Sequence, residues 1–90
     1  MTVQAEFTVA SELGLHARPA GEFAAVAGRF GAEVSVARAG SSEWVSGRSV
    51  LSLLSLAASK GTRLVLRAEG ADAEAAIAAL GALLTRPHGA

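Results

Sequence analysis

The chain's chemistry concentrates in Gly14-Leu15-His16-Ala17-Arg18-Pro19-Ala20. Proline is favoured in the first turn of a helix, where its missing N–H would have had no partner. Residues 17–20 therefore read as a helix start, with His16 at or beside the cap. The first N–H groups of a helix have no partner within it and carry the positive end of its dipole. A cationic imidazole is disfavoured there, whereas an anion attached to the ring is favoured. The backbone N–H groups of Ala17 and Arg18 are the nearest such donors. The Arg18 guanidinium adds a directional cation that can hold phosphate through paired hydrogen bonds. Together these groups point to a histidine that carries a phosphoryl group.

Other roles for His16 fit less well. Standing alone it would read as a surface or capping histidine, but Arg18 and Pro19 shift the balance towards an anion site. A metal centre lacks ligands: the other histidine, His88, lies in the tail, and no cysteine or carboxylate sits at ligand spacing nearby. No neighbour in sequence would orient His16 as a general base for Ser11.

The elements that must hold these residues follow from periodicity. Thr2 to Val9 alternates, with Val3, Ala5, Phe7 and Val9 on one face, as in a half-buried strand. Ser11 to Gly14 is a turn. From Ala17 to about Phe30, Phe23, Ala24, Val26, Ala27 and Phe30 fall at helical spacing, and Gly28 and Gly31 mark the end. Glu33 to Arg38 alternates through Val34 and Val36, and Ala39 to Ser42 turns into a short strand over 43–46. Ser49 to about Ala58 is a second helix, Thr62 to Glu69 a strand, and Asp72 caps a last helix through Ala76, Ile77, Leu80, Leu83 and Leu84. The order β-α-β-β-α-β-α, with one apolar face per strand, predicts an α+β open-faced sandwich: a four-stranded antiparallel sheet with three helices on one face.

The second helix carries its own signals. Ser49 stands where a side-chain cap would. The segment Val50-Leu51-Ser52-Leu53-Leu54-Ser55-Leu56 is apolar nearly all round, yet a short helix on a sheet buries only one stripe. Val50 and Leu53 are assigned to that stripe. Leu51 and Leu54 share a side offset from it and are expected to remain outside, where an apolar patch commonly marks a partner site.

Composition removes several function classes. Ninety residues, 51% of them hydrophobic, suit one small domain spanning 1–90. Without cysteine there is no disulfide and no thiolate nucleophile. Eight basic and eight acidic side chains balance, which gives no support to nucleic-acid binding. No apolar run is long enough to span a membrane, and the N-terminus lacks the pattern of a signal peptide, so a cytoplasmic location is expected.

The two blocks, Gly14 to Ala20 and Arg48 to Leu56 followed by Lys60-Gly61, resemble the HPr phosphocarrier family of the bacterial phosphotransferase system. The likeness extends to the element order and covers nearly the whole chain. It implies a carrier, not itself an enzyme, that accepts a phosphoryl group from phosphorylated Enzyme I and passes it to IIA-type proteins. By resemblance His16 is the acceptor, through Nδ1, and Arg18 stabilises the charge. The resemblance also implies that the helix starting at Ser49 and the active-site helix together form the docking surface, with Leu51 and Leu54 as contacts and Glu22 and Arg48 nearer the rim. Ser49 aligns with the serine modified by HPr kinase/phosphorylase in many bacteria. The implied carrier is a monomer, with no cofactor, metal, nucleic acid or membrane partner.

Two features depart from the pattern or leave it open. Residues 41–47 look longer than in the shorter sugar-transport carriers; there Trp44 is read as a packing residue, and Gly47 as loosening the approach to the second helix. The second block is also similar to the nitrogen-regulatory paralogue of HPr, and these short blocks do not separate the branches. A regulatory interaction protein controlled by phosphorylation of His16 or Ser49 is the remaining alternative.

Overall fold

Alternation in the sequence becomes pairing in the sheet. The computed structural model describes residues 1–12 and 14–86. Its elements are β1 (Thr2–Thr8), α1 (Ala17–Ala27), β2 (Glu33–Arg38), β3 (Val45–Ser46), α2 (Val50–Ser55), β4 (Arg63–Glu69) and α3 (Ala73–Leu84). The strands form one antiparallel sheet in the order β1-β4-β2-β3, so the last strand in sequence lies between the first two. The register aligns Val3, Ala68 and Val34 across the sheet, and likewise Ala5, Leu66 and Val36. These rows meet Ala20, Phe23, Leu53, Ala76, Ile77 and Leu80 from the three helices in one core. The expected open-faced sandwich is the fold observed. Among the described residues no helix is long and apolar enough to cross a membrane.

Close approach matters at two glycines. Gly81 of α3 lies on the Phe7 ring, and a Cβ there would collide with the ring carbons. A Cβ on Gly47 would lie 2.6 Å from Val34 Cγ1, and its N–H donates to the Val34 carbonyl at 2.9 Å. Gly47 therefore pins the entry to α2 against β2 and does not loosen it.

Several elements end earlier than their periodicity suggests. The α1 helix stops at Ala27, and the next N–H groups turn back to the carbonyls of Ala24, Val26 and Ala27. At the end of α2, Ala57 takes a left-handed φ of 52°, which turns the chain before Ala58. Before β3, Ser41 Oγ accepts the Glu43 N–H in a local turn, and ladder pairing is confined to Val45 and Ser46. Trp44 lies just outside that strand and is exposed, so it is not a core-packing residue. Asp72 occupies the α3 cap position but makes no side-chain cap; its carboxylate instead accepts the N–H groups of Gly31 and Ala32 at 2.9 and 2.8 Å. Leu13, in the first turn, and the tail 87–90 with His88 lie outside the described residues.

Candidate functional site

The His16 backbone is extended, with φ −82° and ψ −174°, and its carbonyl accepts the first helical hydrogen bond from Ala20 N–H at 2.8 Å. This makes His16 the N-cap residue of α1, but its side chain forms no cap bond. Pro19 supplies no N–H, so the first turn is left with those of Ala17 and Arg18. Neither has a hydrogen-bond partner among the described residues. The imidazole of His16 and the guanidinium of Arg18 are both exposed, and Arg18 makes no ion pair among the described residues. A cation, two unpaired donors and a ring nitrogen therefore all belong to the first residues of one positive helix end. That combination is chemically suited to an attached anion.

Long-range contacts fix the approach to His16. The buried Leu15 donates its N–H to the Ala58 carbonyl at 2.9 Å, immediately beyond α2. Gly14 has φ +63°, and a Cβ there would lie 2.6 Å from that same oxygen. Only glycine suits both the backbone angle and the close approach. The 14–15 segment is flanked by a Gly61 N–H bond to Val9 O at 2.8 Å and a Lys60–Glu12 ion pair at 2.9 Å. Arg38, at the end of β2, donates through Nη1 to the carbonyls of Leu56 and Ala57 at 2.8 and 3.4 Å. It thereby braces the bend that presents Ala58 to Leu15.

Ser49 caps α2: its Oγ accepts the Ser52 N–H at 3.2 Å. Leu53 is fully buried, while Leu51 is 81% exposed and Leu54 36%. The expected outside positions of Leu51 and Leu54 are observed. Val50 is 37% exposed and belongs with them, not in the buried stripe, because α2 lays only Leu53 and its cap residue Leu56 into the core. Arg48 sends Nη2 to the carbonyls of Phe30 and Ala32, at 2.7 and 3.2 Å, clasping the turn after α1. Glu22 pairs with Arg86 at 3.1 Å. The α1 and α2 helices pack together, with the Ala58 carbonyl just beyond α2 bonded to Leu15 before the start of α1 and Arg48 just before α2 bonded to the turn after α1.

Sequence reasoning did not single out Arg38, Ala58 or Arg86. Each acts through a partner distant in the chain, and no local spacing marks such a contact.

The fold and site describe a small domain with an exposed histidine at an open helix end. The family model described as "PTS HPr component phosphorylation site" matches residues 3–86. Phosphocarrier protein HPr of Pseudomonas aeruginosa is 45% identical over 75 residues, covering 83% of this chain and 82% of that protein. A phosphocarrier protein HPr structure from Bacillus anthracis superposes with a TM-score of 0.86 at 36% identity, covering 92% of this chain and 96% of that one. A multiphosphoryl transfer protein of Escherichia coli is 39% identical over 80 residues, which are 88% of this chain and 21% of that larger protein. The chain belongs to the HPr phosphocarrier family of the phosphotransferase system. None of these relatives' names favours the nitrogen-regulatory branch.

Proposed function

We propose that this phosphocarrier holds its phosphoryl group on Nδ1 of His16, receiving it from phosphorylated Enzyme I and giving it to IIA-type proteins. The observation that carries this reading is the uncapped start of α1, where an exposed imidazole meets an exposed Arg18 and two unpaired N–H groups. In the transfer, the neutral Nδ1 attacks phosphorus as the donor's P–N bond breaks, and the donor imidazole leaves with that electron pair. Transfer onward reverses the roles. Arg18 and the N–H groups of Ala17 and Arg18 stabilise charge on the phosphoryl oxygens, while the partner supplies the second histidine and the alignment.

The exposed side chains of Val50, Leu51 and Leu54, on the helix packed against α1, serve as the docking face. Glu22 and Arg48 lie towards its rim, already engaged with Arg86 and with the carbonyls after α1. Phosphorylation of Ser49 by HPr kinase/phosphorylase would put a dianion beside that face and repel a phosphorylated or acidic partner without unfolding the domain. The carrier works as a cytoplasmic monomer.

Incubation with phosphoenolpyruvate and Enzyme I, followed by intact-mass measurement, tests the site. One acid-labile phosphate, lost in His16→Ala, is expected; an acid-stable adduct that survives this substitution would overturn the assignment. For the docking face, Leu51→Asp should weaken Enzyme I binding by about tenfold, as loss of a buried interface anchor does, and leave the thermal midpoint unchanged. A collapse of stability instead would put Leu51 in the core.

A further inference from the structure

Glu22 is the sole carboxylate on α1 and lies four residues after Arg18, on the same face of the helix. It stands about 9 Å along the axis from His16, at 1.5 Å rise per residue. Left to itself it would act against the anion site in two ways. It would offer Arg18 an intrahelical ion-pair partner in competition with phosphate, and its charge would oppose a phosphoryl dianion one and a half turns away.

The structure sets a residue from the far end of the chain against this carboxylate. Arg86, just beyond α3, sets Nη2 3.1 Å from Glu22 Oε1. The end of α3 is itself fastened to the segment leading to His16, because Ala10 N–H donates to the Leu84 carbonyl at 3.0 Å. Arg86 Nε is buried and without a hydrogen-bond partner. The side chain as a whole is 42% exposed, so the guanidinium turns its Nε edge to the protein, at a desolvation cost, and keeps its other edge in water. With Glu22 engaged, Arg18 has no partner among the described residues.

We infer that Arg86 is a positioning residue for phosphoryl transfer: by engaging and neutralising Glu22, it leaves Arg18 and the start of α1 to the phosphate. This rests on the assignment of the phosphoryl group to His16. Arg86 itself touches neither the imidazole nor, by this account, the phosphoryl oxygens.

A double-substitution cycle tests it, with the rate of phosphoryl uptake from phospho-Enzyme I as the readout. With Glu22 present, Arg86→Gln should slow uptake by about threefold, the combined scale of a surface helical ion pair and a screened charge. In the Glu22→Gln background the same substitution should change the rate by less than about half that factor, since no carboxylate remains to restrain. Arg86→Lys, which keeps the cation, should restore most of the rate. The Arg18 Nε–H resonance should shift in Arg86→Gln and stay in place when Glu22→Gln is added. A merely structural Arg86 would slow both backgrounds alike and leave that resonance unmoved. Equal slowing in both backgrounds, or none with Glu22 present, would overturn the inference. If the unsubstituted chain takes no acid-labile phosphate on His16, the carrier assignment itself has failed; normal uptake with a flat cycle condemns only the role of Arg86.

Discussion

Both α1 and α2 start from an extended cap residue, with ψ −174° at His16 and 112° at Ser49, yet only the Ser49 side chain caps its own helix. The difference follows what each helix needs in order to form. At six residues, α2 is far below the length at which a helix is stable alone, and the Ser49–Ser52 bond relieves one of its unpaired N–H groups. The α1 helix is eleven residues long and buries Ala20, Phe23 and Ala27. Burial of Phe23 alone is worth about 1.5–3 kcal/mol, enough to offset a missing cap worth about 1 kcal/mol. The helix with stability to spare is the one left open, and an open end is what an anion requires.

Substitutions at the two starts can break or sharpen this contrast. The largest effect is expected from Arg18→Lys, which keeps the charge but loses the fork, and should slow phosphoryl transfer by about tenfold, the scale of one charged hydrogen bond. Unchanged transfer kinetics would mean that the open end works without a clamp. Next, Ser49→Ala should cost about 1 kcal/mol in denaturant unfolding, as cap removal does. The smallest change in stability is expected from the reverse exchange: His16→Asn should add about 0.5 kcal/mol in denaturant unfolding by closing α1. Equal and negligible changes in these last two would show that the helix starts are energetically alike.

Much of this architecture was legible because its strands alternate cleanly. The bounds of β2, Glu33–Arg38, follow directly from Val34 and Val36, and His16, Arg18 and Pro19 announce the open helix end by their types and adjacency. The exposed positions of Leu51 and Leu54 follow from helical spacing; that of Val50 did not, since it depends on how α2 is set against the sheet. Asp72 was misread for a related reason. Its local context is a helix cap, but the N–H groups of Gly31 and Ala32, forty residues earlier, take its carboxylate. Arg38 looks like a solvated strand end until the carbonyls beyond α2 are brought to it. What sequence leaves out is chiefly contact across the fold.

The hydrogen bond from Leu15 to Ala58 has a consequence for partner choice. It fastens the residue before the histidine to the segment that follows the leucine face, so the span between the two works as a gauge. On the docking proposed for the leucine face, a protein arriving there must match a length as well as a chemistry. One that seats on the leucines with its own histidine slightly out of reach would bind and fail to exchange. Discrimination among similar callers can therefore reside in a backbone carbonyl that no partner touches.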